Sequence, residues 1–388
     1  MTTRLEPRRG SLVALCLMTV ALVADGSCKP AATSAGLRAV SLAVPTMPPP
    51  PPLEVGVDPR VELLCIIFRL AGKPEYNCGL VPTYLADIDQ HFATARQHPV
   101  IKLTRELGAM VGFDAPMHLA VHLNDADHLA LRLPLKPWPE GLDQRWRSAK
   151  LKEFLSQARR FVREAKFDEF YRAHQGLYAE TAERARRLLI TEGRLDWFDA
   201  FFGPRPGVRF RFVPGLINGG CCYGARVKLG AEEEVYCILG VTRCDNDGQP
   251  VFDSNDLATV AHEFCHSYVG PALSGWAKRL EPSGQRLFTT VADRMQRMAY
   301  GDWMTMINES IVRAAVVRYL AATQGPEAAT RQVREETARG FLWMDGLSQL
   351  LGECEAQRER YPAFRAFMPR IVEFFDQTAR QMSAEQKP

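Results

Sequence analysis

Two histidines four residues apart, with a glutamate directly after the first, are the residues of this chain best spaced to do chemistry: His262-Glu263-Phe264-Cys265-His266. On an α-helix, positions four apart lie on one face, so His262 and His266 can offer two imidazole nitrogens to a single tetrahedral Zn2+. Glu263 is turned about 100° from His262 by the helical repeat. Its carboxylate then sits beside such an ion as a base for the bound water, without having to be a ligand. The surrounding stretch SNDLATVAHEFCHSYVGPAL reads as a helix. Ser254 or Asn255 can cap it, Asp256 adds negative charge to its first turn, and Gly270-Pro271 supplies a stop. Leu257, Ala261, Phe264, Cys265 and Tyr268 form an apolar flank that would bury the helix and leave the histidines at the border of a cleft.

A third ligand must come from elsewhere. The metallopeptidase pattern H-E-x-x-H-x-x-G-x-x-H is excluded, because Val269 and Ala272 stand where it needs glycine and histidine. Downstream, WMTMINESIVRAAVVRYLAATQG reads as a helix that is apolar nearly all round, with Met304, Met306, Ile307, Ile311 and Val312 flanking Glu309. A carboxylate buried on such a helix needs a cation, and a metal together with Arg313, four residues on, provides one. Glu309 is therefore the expected third ligand. Asp293, in TTVADRMQRMAYG, is the alternative. A donor for a developing oxyanion is also needed, and Tyr223, Tyr300 and Arg313 are the candidates.

The same residues carry a family resemblance. HEFCH followed by NESIVRA resembles the gluzincin pattern, in which a glutamate on a later helix completes a His-His-Glu zinc site. More closely, VDPRVELLCIIFRLAGKPEYN, INGGCCYG, AHEFCHSYV and NESIVRA are together similar to the bacterial domain-of-unknown-function family DUF4932, over most of the chain from about Val57 onward. The resemblance implies a zincin-like catalytic core with one zinc per chain on His262, His266 and Glu309, and hydrolysis of peptide bonds. It also implies that an edge strand within residues 215–229 pairs with an extended substrate backbone, as unpaired strand amides can. Gly219-Gly220 would permit close approach there, or simply form a tight turn.

Length and composition frame these expectations. With 388 residues, 46% of them apolar, the chain can bury a substantial core in one large or two closely packed domains. A net charge of +3 is too small to argue for nucleic acid or an anionic membrane. Arg4, Arg8 and Arg9 precede the apolar run SLVALCLMTVALVA, and Ala24-Asp25-Gly26 offers small residues for cleavage. Residues 1–26 therefore read as a signal peptide, with Cys28 a candidate for lipid attachment, and the chain is expected to be periplasmic or extracellular. Residues 27–56, ending near Pro48–Pro52, read as a Pro/Ala-rich linker, and residues 57–380 as the folded domain. In an exported chain, Cys221, Cys222, Cys237 and Cys244 invite one or two disulfides, while Cys65, Cys265 and Cys354 are as readily buried thiols.

The element pattern predicts an α+β fold, mostly helical. VELLCIIFRLAG is a buried helix stopped by Gly72, and residues 145–202 are almost continuously helix-forming. VRFRFVPGL, YGARVKLG and EEVYCILGVT read as three strands just ahead of the motif helix. Two functions follow: a zinc peptidase acting on peptides or proteins, or a non-catalytic exported binding or scaffold protein that keeps a structural or vestigial metal site.

Overall fold

The computed structural model describes residues 53–385, apart from residue 149. The expected signal peptide, Cys28 and the proline run Pro48–Pro52 lie outside the described residues.

Four strands form one sheet: β1 (Leu53–Val55), β2 (Val208–Gly215), β3 (Tyr223–Leu229) and β4 (Glu232–Gly240), in the order β1-β2-β4-β3. β1 and β4 both run parallel to β2, and β3 pairs antiparallel with β4 through a two-residue turn in which Gly230 has φ +66°. Side chains alternate between faces along a strand, and here both faces are covered. Phe210, Phe212, Val235, Cys237 and Leu239 join one hydrophobic core together with Phe264 and Ala261. Tyr236, Ile238, Tyr223, Ala225 and Val227 join a second, together with the N-terminal helices. This explains why EEVYCILG is apolar at successive positions. β1 departs from expectation: Leu53–Val55, inside the predicted linker, forms a strand in register against Phe210–Phe212. Three residues beside a proline tract carry too little pattern to be read as a strand, and only the exposed edge of β2 makes them one.

The first helix, Pro59–Leu70, is capped by Asp58, whose side chain accepts the Arg60 N–H at 2.9 Å, and the chain leaves it through Gly72 at φ +83°. Residues 145–202 are not one long helix but several, among them Leu151–Glu164, Phe167–Ala173, Gln175–Thr191 and Asp196–Phe202. The breaks fall at residues such as Lys166 (φ +53°) and Arg194 (φ +39°). Phe161, Phe167, Phe170 and Phe198 are all buried, so the chain has to turn around the core to place them.

The motif helix spans Leu257–Leu273, and its first turn is entered from Asp256, not from Ser254 or Asn255. It also runs through Gly270-Pro271 instead of stopping there. Pro271 has no N–H to give the carbonyl of Ser267 four residues earlier. The Arg205 guanidinium supplies that bond instead, at 2.8 Å, and lies over the Tyr268 ring.

No disulfide joins any of the eight described cysteines. Cys221 and Cys222 are neighbours in sequence but not partners. The sulfur facing Cys221, at 4.0 Å, belongs to Cys78, 143 positions earlier. Among the described residues no helix is long and apolar enough to cross a membrane.

One buried carboxylate sits far from the histidine motif. Glu62 is fully buried and accepts a hydrogen bond from Tyr84 Oη at 2.7 Å. Burial pushes its pKa from 4.5 to about 7. Between those values the native state keeps a proton that the unfolded chain has released, so stability falls as pH rises through the window and levels off above it. The shift corresponds to about 3 kcal/mol. Glu62→Gln should abolish that slope and make the variant the more stable chain at pH 8. Urea unfolding at pH 5 and pH 8 checks this, and parallel losses in parent and variant would refute it.

Candidate metal centre

Glu309 lies on the helix Trp303–Thr323, whose N-terminus is fixed by Asp302 accepting the Thr305 N–H at 2.9 Å. That helix packs against the motif helix and is buried on most sides, with Met306, Ile307, Ile311 and Val312 all inaccessible. The packing brings His262, His266 and Glu309 together, each offering one ligand atom, with all three atoms within 4.8 Å of one another. The two Nε2 atoms are 3.1 Å apart; His262 Nε2 is 3.6 Å from Glu309 Oε2 and His266 Nε2 is 3.3 Å from Glu309 Oε1. A tetrahedral ion with bonds of about 2.0–2.2 Å spaces its ligands about 3.3–3.6 Å apart. The three residues come close to the spacing of one metal ion, with the two imidazole nitrogens slightly nearer each other than that.

The electrostatics suit the same task. Burial lowers the pKa of both imidazoles, that of His262 to about 3, so each ring is neutral near pH 7 and has one nitrogen lone pair to offer. Burial works against ionisation of Glu309, yet the histidines, Arg313 and the Tyr300 hydroxyl hold it down to about 2. Arg313 supplies the permanent positive charge. Its Nε donates to Glu309 Oε2 at 3.2 Å, its Nη1 to Glu336 Oε2 at 2.8 Å and its Nη2 to Tyr300 Oη at 2.8 Å. Tyr300 in turn donates to Glu309 Oε2 at 3.0 Å. Glu336, buried and unforeseen from the sequence, also accepts from Gln332 and Arg339, each at 2.6 Å.

Glu263 Oε2 lies beside Gly224 of β3. Desolvation, reinforced by the charge of Glu309, pushes its pKa up to about 8, against a hydrogen bond from the Gly224 backbone. A Cβ on Gly224 would lie 2.8 Å from Glu263 Oε2, so the absence of a side chain there is what admits the carboxylate. A glycine inside a strand pattern signals close approach, and YGARVKL carries that signal, although the sequence reading placed it at Gly219 and Gly220.

The centre opens into a cleft of about 490 Å³ at the free edge of β3. Its lining includes His262, Glu263, His266, Tyr300, Asn308 and Glu309 together with Phe113, Asp114, Tyr223, Gly224 and Arg226. Of the expected contacts, Tyr223 and Tyr300 do line the cleft. Arg313 does not: it sits behind Glu309, where it can orient the ligand but not meet a substrate. Gly219 and Gly220 are also absent from the lining. Gly219, at φ +55°, makes the tight turn, and a Cβ on it would fall 2.0 Å from the Cys78 carbonyl oxygen. Asp293 is exposed on the helix Ala277–Arg297, in a separate surface depression away from the histidines. Cys265 points into the core. Asn308 is an addition: its buried side-chain oxygen has no hydrogen-bond partner among the described residues.

No curated protein and no solved structure matches the chain. A family model described as a domain of unknown function, DUF4932, matches residues 53–374. That match spans nearly all of the described fold, from β1 to the last helix, and the protein belongs to the DUF4932 family.

Proposed function

We propose that the protein is a zinc-dependent peptidase with a gluzincin-like site in a zincin-like core. The observation that carries this reading is the division of carboxylates around one point. Glu309 meets the two imidazole nitrogens within 4.8 Å, while Glu263, next to His262 in the chain, lines the same cleft without joining that group. Two nitrogens and one carboxylate oxygen form a donor set suited to zinc, whereas magnesium and calcium favour all-oxygen sites. Zinc, when bound, supplies Lewis acidity that acidifies water and polarises a carbonyl.

The chain's own residues supply the rest. The outer edge of β3, where the Gly224 N–H already bonds Glu263, has further backbone groups to offer an extended peptide. Glu263 accepts the proton of the attacking water and delivers it to the leaving amine, the role of a positioned carboxylate beside a bound metal. Tyr300, lining the cleft with its hydroxyl between Glu309 and Arg313, is the donor best placed to turn toward a developing oxyanion. The leader pattern in residues 1–26 supports action outside the cytoplasm.

Metal content and cleavage of a diverse peptide library test this reading together. The purified chain should carry one zinc, lose cleavage to a chelator and regain it on zinc addition. A zinc-loaded chain that cleaves no peptide would leave a metal-stabilised binding or scaffold protein as the better description.

A further inference from the structure

The lining of the cleft includes an exposed aromatic ring next to a carboxylate. Phe113 is 48% exposed and sits at φ +52°, a left-handed conformation that costs a bulky residue strain. Its backbone is pinned on both sides: its N–H donates to Glu75 Oε1 at 2.8 Å, and its carbonyl accepts the hydroxyl of fully buried Tyr76. A ring left outside merely for want of cover would need no such frame. Strain that is held in place by specific partners marks a position kept for use.

Asp114 follows, with its side chain 41% exposed and its carboxylate bonded to Arg145 and 3.4 Å from His118 Nε2. Arg145 is shared with a second carboxylate, Asp143, at 2.7 Å, so one guanidinium serves two carboxylates here. Arg226, the one guanidinium or ammonium group on the lining, is already engaged by Glu140 at 2.8 Å and by Glu233 at 3.3 Å. An acidic side chain entering the cleft would find no uncommitted cation on the lining. A long cationic one would find a ring face for its methylene stem and a carboxylate for its head.

We propose that Phe113 and Asp114 form a side-chain subsite selective for lysine or arginine next to the bond that is cleaved. The inference rests on the peptidase reading and adds its substrate class.

The test measures binding of three peptide hydroxamates to the zinc-loaded full chain by calorimetry. The probes are identical except for one side chain beside the hydroxamate: lysine, norleucine or glutamate. The lysine probe should bind about tenfold more tightly than the norleucine probe, with glutamate weakest. Asp114→Asn should erase the lysine-over-norleucine preference. Because that change also loosens Arg145, Phe113→Ala at an exposed position gives an independent reading: it should weaken lysine and norleucine probes alike, severalfold, and spare glutamate. Equal binding of lysine and norleucine by the parent would overturn the subsite while leaving the peptidase reading intact, as would a lysine preference that survives both substitutions. Failure of all three probes to bind would overturn the metal-site reading, and the subsite with it.

Discussion

Glu263→Gln is expected to keep its zinc and to lose peptide cleavage by about 10²–10⁴-fold, the usual contribution of a positioned general base. The substitution preserves volume, and the space left by Gly224 continues to accommodate the side chain. The three ligand atoms belong to other residues, so metal content should not change. A carboxamide cannot accept the proton of water, so the loss should appear in kcat. His262→Ala and Glu309→Gln should instead lose the metal itself, because two ligands hold zinc far less well than three and an amide is a poor third. Metal analysis and cleavage rates on the same preparations separate the two outcomes. A Glu263→Gln chain that cleaves as fast as the parent would remove the chemical basis of the peptidase reading.

The second large effect concerns stability. Arg313 is buried between two buried carboxylates, Glu309 and Glu336. Breaking a buried ion pair by deleting one partner costs about 3–5 kcal/mol, because the remaining charge stays desolvated. Arg313→Met should destabilise the metal-free chain by about that much. The loss should be smaller with zinc bound, since the ion gives Glu309 a replacement cation while Glu336 keeps Arg339. Unfolding by urea, with zinc and with a chelator, checks both statements. An equal loss in the two conditions would mean that Glu309 does not share its charge between Arg313 and the metal.

Local patterns were readable in the sequence and tertiary ones were not. The alternation in VRFRFVPGL and YGARVKLG placed β2 and β3, and the apolar surroundings of Glu309 marked it as a buried carboxylate in need of a cation. Those signals lie within one element. Pro271 read as a stop because its cost is local, whereas its remedy, Arg205, sits 62 residues away from Ser267. Glu336 and Asn308 reach the centre only through helix packing, and neither has a distinctive sequence neighbourhood. Phe113 was invisible for a related reason: its importance lies in a backbone conformation and in the Glu75 and Tyr76 contacts that hold it. Cys221 met Cys78 because a turn carried it there, not because the two are close in the chain.

The contact between Gly224 and Glu263 extends the five-residue motif into a six-position constraint whose last member stands on a different element. The constraint is one of volume. Where position 224 carries a side chain, the carboxylate at 263 must turn away from the strand edge or be replaced. Gly224→Ala is expected to move the Glu263 carboxylate off the strand edge while leaving His262, His266 and Glu309 in place.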